Sequence, residues 1–248
     1  MKKIYYFAAL MVLTVTAISG WSALSNKKST PAGFAVIELF TSEGCSSCPA
    51  ADEALSRIAD DYKQNVYVME FHVDYWNRLG WKDSFSSAAY SERQRQYAGT
   101  SAGDGVYTPQ AIINGSTHLV GSDEKKIRKD IDELLASTAG DNIELTGKDN
   151  GNHFITMTYS FDNHNNNVLN VALVQLKSQT KVRAGENNGH TLKHIHIVRD
   201  FKTETLSAGS LHLAIPEGME AKDCGVIAYS QNSKTHVVTG AASYSMGR

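Results

Sequence analysis

Apolar positions follow two different rhythms along this chain. Up to about residue 139, short continuous apolar runs alternate with stretches whose apolar residues recur every three to four positions. Beyond Asp141 only short strand-like runs remain, separated by turn clusters. The run "FAVIELF", Phe34 to Phe40, has the length and β-branched, aromatic content of a buried strand. From Ser47 onward Ala51, Leu55, Ile58 and Tyr62 line one face of a helix, and Pro49 suits its first turn, where a missing N–H costs nothing. "VYVMEFHV", Val66 to Val73, is apolar at most positions, as expected of a strand covered on both sides. A right-handed crossover sets these two strands parallel and puts the intervening loop at the carboxyl end of the sheet, where open α/β folds place their sites.

A polar helix is expected over Ser84 to Tyr97, after the loop "YWNRLGWKD". The Asn114-Gly115 pair then predicts a hairpin, because both residues tolerate positive φ. Ser122 is expected to cap a last helix whose apolar stripe is Ile127, Ile131, Leu134 and Leu135. Strands are predicted at His153 to Phe161, Val168 to Lys177, Leu192 to Asp200, Ser210 to Ile215, Val226 to Ser230 and Thr235 to Ala241. Strands at this spacing suggest an all-β sandwich over 141–248, behind an α/β domain over 33–139.

Lys2 and Lys3 followed by the uncharged Ile4 to Ser19 read as a secretory leader over residues 1–24. Ala17 and Ser19 offer a cleavage site, and Trp21 and Ala23 leave its position open. The competing reading is an uncleaved anchor, the only expected contact with a membrane. Export places the protein in the cell envelope, periplasmic or secreted, where disulfides persist. The 248 residues are 42% hydrophobic and 20% charged, with a net charge of −2 and no long basic cluster after residue 30, which gives no electrostatic footprint for nucleic acid.

Two of the three cysteines stand in "TSEGCSSCPA". At the first turn of a helix, Cys45 meets the positive end of the macrodipole and unpaired N–H groups, which favour the thiolate, and Cys48 lies one turn on as a resolving thiol. A permanent staple is the plain alternative, yet so short a loop removes little unfolded-state entropy. Metal binding is a third: one C-x-x-C supplies two ligands where zinc needs four, and His72 would join the two sulfurs in a copper site, against the plainer reading of a satisfied core histidine at i, i+2 from Asp74. His194 and His196, at i, i+2 on one strand face, could chelate a metal, with His190 nearby; the competing role is to organise a turn and a domain interface with Asn187, Gly189 and Arg199. Cys224 has no obvious partner and reads as a buried small hydrophobe.

With Thr108-Pro109 entering the third core strand, residues 34–137 resemble the thioredoxin superfamily: strand, C-x-x-C at a helix start, strand, helix, loop, Thr-Pro into a hairpin, and helix. The resemblance implies a cis peptide at Pro109, a substrate groove lined by Thr108, and a buried acid, Glu38, shuttling a proton to or from Cys48. "ELFTSEGCSSCPAAD", "HVDYWNRLGWKD", "VYTPQAIING" and "GENNGHTLKHIHIVR" further resemble an uncharacterised family of exported thioredoxin-fold proteins with a β-rich extension, a domain of unknown function widespread in bacteria. This places Asp74, Trp76 and Trp81 beside the cysteines. The expected protein is an exported thiol-disulfide oxidoreductase without cofactor or metal, exchanging with a protein or small thiol substrate and an unidentified redox partner. The alternative is a redox-inert or copper-handling binding protein whose β-domain docks a partner.

Overall fold

The first apolar run forms β1 (Ala35–Thr41), buried at every position. The chain, seen here in a computed structural model that describes residues 33–99, 105–162 and 166–246, continues through α1 (Cys48–Asp61), β2 (Val66–His72) and α2 (Ala88–Ala98). The hairpin β3 (Gln110–Ile113) and β4 (Thr117–Val120) and the helix α3 (Glu124–Leu135) follow. The leader expected over residues 1–24 lies outside the described residues. No helix among those described is long and apolar enough to cross a membrane.

β1 runs parallel to β2 and antiparallel to β3, and β3 pairs with β4. Alternation along β1 and β2 divides the core. Ile37, Leu39 and Val68 pack with Leu55 and Ile58 of α1 and Ile127 and Ile131 of α3. Val36, Phe40, Met69 and Phe71 pack on the opposite face with Tyr90 and Tyr97 of α2. At the hairpin Asn114 and Gly115 have φ of 44° and 67°, the left-handed pair the turn requires. The cap of α3 is Asp123 rather than Ser122, its carboxylate accepting from the Lys126 N–H.

The C-terminal half is built differently from the expected separate sandwich. It contributes β5 (Ile143–Asp149), β6 (Phe154–Phe161), β7 (Asn167–Lys181), β8 (Thr191–Glu204), β9 (Ala208–Ala214), β10 (Cys224–Asn232) and β11 (Val238–Ser245). Four of these join the N-terminal strands in one mixed sheet of eight, ordered β11-β10-β7-β8-β2-β1-β3-β4. The fold is therefore mostly β around a shared sheet, which corrects the expectation of an α/β thioredoxin-like domain followed by a β-sandwich. The joint is the parallel pairing of β8 with β2 at Glu70 and Ile197. Its physical logic is edge protection: β2 would otherwise present unpaired backbone groups along a buried, apolar strand.

β5, β6 and β9 form a second, three-stranded sheet. Ile155, Met157 and Leu213 pack against Leu169, Val171 and Leu173 of β7 and Val226 and Ala228 of β10. The other face of β7 and β10 turns Ala172, Val174, Ile227 and Tyr229 toward α2. β7 and β10 thus belong to two layers at once.

Candidate functional site at the cysteine loop

β1 ends at Thr41, and the loop Ser42–Ser47 delivers Cys48 as the first residue of α1. Cys45 and Cys48 form a disulfide with Cα atoms 5.4 Å apart. The Cys45 N–H donates to Ser42 O at 3.1 Å and the Cys48 N–H to Cys45 O at 3.2 Å, so the turn is closed by its own backbone. Both sulfur-bearing residues are buried, while Ser46 and Ser47 between them are exposed.

The cover comes from two places. Asn187, buried between β7 and β8, donates through Nδ2 to the carbonyls of Glu43 and Cys45, each at 2.9 Å. Glu186 accepts from the Ser46 N–H at 3.0 Å, which holds its carboxyl below the usual range. From the other side, Trp76 lies against Gly44, where an added Cβ would meet its Cβ at 3.3 Å, and donates through Nε1 to Thr108 Oγ1 at 2.8 Å. Trp81 donates through Nε1 to Glu43 Oε2 at 2.8 Å and sits beside Gly185.

The structure therefore brings Cys45, Cys48, Trp76, Trp81 and Thr108 into one connected set. The Thr108-Pro109 peptide is cis, and Pro109 borders the same point as Leu39 and Ala51, where a side chain on Gly121 would collide with Leu39 and crowd the other two. Asp74 is not part of the set: its carboxylate accepts from Ser91 Oγ on α2. Glu38 is a correction. It shares its face of β1 with Val36 and Phe40, opposite α1, and its carboxylate is held by Arg93 Nη2 at 2.8 Å and by the Tyr97 hydroxyl. Alternation along one strand decides this, because Glu38 and Leu39 must face opposite ways. His194 and His196 also part company. His196 adopts φ 45°, breaks the alternation of β8 and has Nδ1 3.2 Å from Val68 O.

Beneath the cysteine loop lies a polar cluster that sequence reasoning did not assemble. Glu70 and His72 sit two apart on the α1 face of β2, Asp52 one turn beyond Cys48 on α1, and His194 on β8. All four are buried, with Glu43 and Asp83 beside them. His72 Nδ1 is 2.7 Å from Asp83 Oδ2, which also accepts from the Glu43 N–H at 2.9 Å. Thr41 Oγ1 donates to Asp52 Oδ1 at 2.8 Å. Burial and the neighbouring Glu70 push the Asp52 carboxyl up to about 7. Burial opposes protonation of both imidazoles, but the carboxylates outweigh it: Asp83 and Glu70 draw His72 up to about 9, and Glu43, Glu70 and Asp52 draw His194 up to about 11. The partial signal was His72 and Asp74 at i, i+2; the sequence spacing alone could not say that Glu70 takes that place and Asp74 turns away.

A disulfide at the mouth of a helix, roofed by tryptophan and a loop from the far half of the chain, over a buried acid-imidazole cluster, defines a C-x-x-C scaffold built on a mixed sheet. The chain belongs to the family described as Protein of unknown function (DUF1223), which it matches over residues 36–231. It is similar to a protein of known crystal structure, AGR_C_4864 from Agrobacterium tumefaciens, with 31% identity and a TM-score of 0.63 over 86% of this chain and 95% of that one. A domain of the outer membrane lipoprotein Omp28 from Porphyromonas gingivalis aligns over 44% of this chain and 89% of its own, with 14% identity and a TM-score of 0.27. No curated protein matches the chain.

Proposed function

We propose that the protein is an exported thiol-disulfide oxidoreductase whose working couple is Cys45–Cys48. The observation that carries this is the pairing of the two cysteines at the amino end of α1, where unpaired N–H groups and the macrodipole favour a thiolate on Cys45 once the bond is reduced. The order β2-β1-β3-β4 and the cis Thr108-Pro109 bond support the resemblance to the thioredoxin superfamily. In the oxidised protein a substrate thiolate attacks Cys45 Sγ, the Cys45–Cys48 bond breaks and Cys48 leaves as thiolate. A second substrate thiolate then attacks the substrate sulfur of the mixed disulfide and expels Cys45 as thiolate, so two electrons pass to the protein and the substrate leaves oxidised. The reverse sequence reduces a substrate disulfide.

Both sulfurs are buried in the closed loop, so exchange requires Asn187, Glu186 and Trp76 to yield to a partner. That burial also favours a second reading, a redox-inert binding protein in which the disulfide fixes the loop. The two separate on one measurement. The folded protein is equilibrated in graded dithiothreitol and glutathione buffers, and a Cys48→Ser variant is used to trap a mixed disulfide at Cys45. Cycling at a defined potential together with a trapped adduct supports the oxidoreductase; a pair that reduces only on unfolding establishes the inert scaffold.

A further inference from the structure

We propose that Glu70, His72 and His194, completed by Asp52, form a buried binding site for a divalent first-row transition-metal ion of the zinc type. The site is independent of the redox reading and uses no sulfur.

The geometry starts from topology. β2 presents Glu70 and His72 toward α1, because its alternate residues Met69 and Phe71 face α2. Pairing of β8 with β2 brings His194 alongside, and the first turns of α1 bring Asp52. One ligand atom each from Glu70, His72 and His194 lies within 4.8 Å of the others. Glu70 Oε2 is 3.5 Å from His72 Nε2 and 3.3 Å from His194 Nδ1, and Asp52 Oδ2 is 3.6 Å from the same nitrogen. Nitrogen and oxygen ligands at about 2.0–2.1 Å from a tetrahedral zinc stand about 3.3 Å apart, so the carboxylate–imidazole spacings are close to those of ligands around an ion, and the wider spacing within the 4.8 Å set closes when the ion binds.

Hydrogen bonding within the protein leaves these atoms over. Among the described residues Glu70 Oε2, His72 Nε2 and both ring nitrogens of His194 are buried without a hydrogen-bond partner. Unpaired buried polar atoms are costly, and several converging on one point are a strong departure from what folded proteins tolerate. Protonated imidazoles meet these carboxylates as ion pairs, His72 Nε2 at 3.5 Å and His194 Nδ1 at 3.3 Å from Glu70 Oε2. A divalent cation takes the place of those protons and is coordinated by the same lone pairs.

The far side of each ring completes the argument. His72 Nδ1 faces Asp83, itself fixed by the Glu43 and Phe85 N–H groups, and His194 Nε2 faces Glu43 Oε1 at 3.6 Å. A hydrogen-bonded carboxylate behind an imidazole, as at His72, orients a metal-bound histidine and raises its basicity, while Glu43 stands behind His194 at ion-pair distance. Four carboxylates converge on the two rings, and a divalent ion in place of the ring protons offsets part of their charge. The nitrogen and oxygen donor set suits zinc, iron(II) or manganese better than copper(I), which prefers soft sulfur. Such an ion would tie β2, α1 and β8 together at the joint between the two halves of the chain.

The test keeps the disulfide oxidised throughout, so that thiolates at Cys45 and Cys48 cannot contribute. The protein is isolated from zinc-supplemented culture, desalted and analysed for metal; it is also unfolded with chelator and refolded with zinc, with cobalt(II), or with chelator. The expected result is one retained ion per chain, a rise of about 5–10 °C in thermal midpoint over the chelator-treated form, and cobalt d–d bands without sulfur charge-transfer absorption. The His72→Asn/His194→Gln variant should lose all three. The proposal is overturned if folded wild-type protein, isolated or refolded with metal, holds no more zinc than that variant, or if cobalt bands survive in the variant.

Discussion

Arg93 is the perturbation from which most can be learned about how the sheet is held together. Its guanidinium is buried and donates to both oxygens of Glu38, and at 2.7 Å to each of the hydroxyls of Tyr97 and Tyr229. It also lies 4.8 Å from the centre of the Phe201 ring. One side chain thus links β1, α2, β8 and β10. Replacing it by Met keeps most of the packing volume but strands the Glu38 carboxylate in an apolar layer. Breaking a buried pair from one side costs about 3–5 kcal/mol, which for a chain of this size lowers the thermal midpoint by roughly 6–20 °C. Replacing both partners, as Arg93→Met with Glu38→Leu, removes the uncompensated charge and should recover a large part of that loss.

Chemical denaturation of the wild type, both single variants and the double variant gives the coupling energy directly. A coupling above about 2 kcal/mol is expected for a pair buried this deeply. An Arg93→Met loss under about 1 kcal/mol, or strictly additive variants, would refute the reasoning. The same proteins carry a second readout. Since Glu38 faces away from α1, the Cys45–Cys48 potential should stay within about 10 mV of wild type, a third of the 30 mV that corresponds to about 1.4 kcal/mol; a larger shift would return Glu38 to the cysteines.

Two further outcomes follow from the roof and from the lone thiol. Asn187→Ala leaves the carbonyls of Glu43 and Cys45 without their donor, so it should cost about 1–3 kcal/mol and speed alkylation of reduced Cys45 by iodoacetamide; unchanged alkylation would show that Asn187 does not gate the sulfur. Burial, with Asp223 adding to it, pushes the Cys224 thiol up to about 11, and only the thiolate reacts. Alkylation of Cys224 in the folded protein should therefore rise about tenfold per pH unit from 8 to 10, whereas in the unfolded chain it levels off above about 8.5. A flat profile in the folded state, read by mass spectrometry, would contradict this.

What was legible in the sequence was whatever depends on near neighbours. The strands β1 and β2, the helix α1 behind Pro49 and the Asn114-Gly115 turn each rest on spacing within a dozen residues, and they fall where the pattern puts them. The cysteine loop and its tryptophans were legible for the same reason. The join at β2 and β8 was not, because Glu70 and Ile197 are far apart in sequence and both halves carry strand patterns that would suit an independent sheet. The misplacements of His194 and Asn187 descend from that one pairing, whereas that of Glu38 follows from alternation along β1. With β8 beyond the sheet edge, His194 belongs to a separate domain and pairs only with His196; with β8 beside β2, it meets His72, and the two rings lie 4.8 Å apart. Asn187 changes from a turn residue of the β-rich half into the donor that closes the cysteine loop. The segment from Gly185 to His194 therefore serves the disulfide above and the acid-imidazole cluster below. Truncating the chain near residue 140 would remove the roof of one and a ligand of the other, so the C-terminal half is part of the site and not an appendage to it.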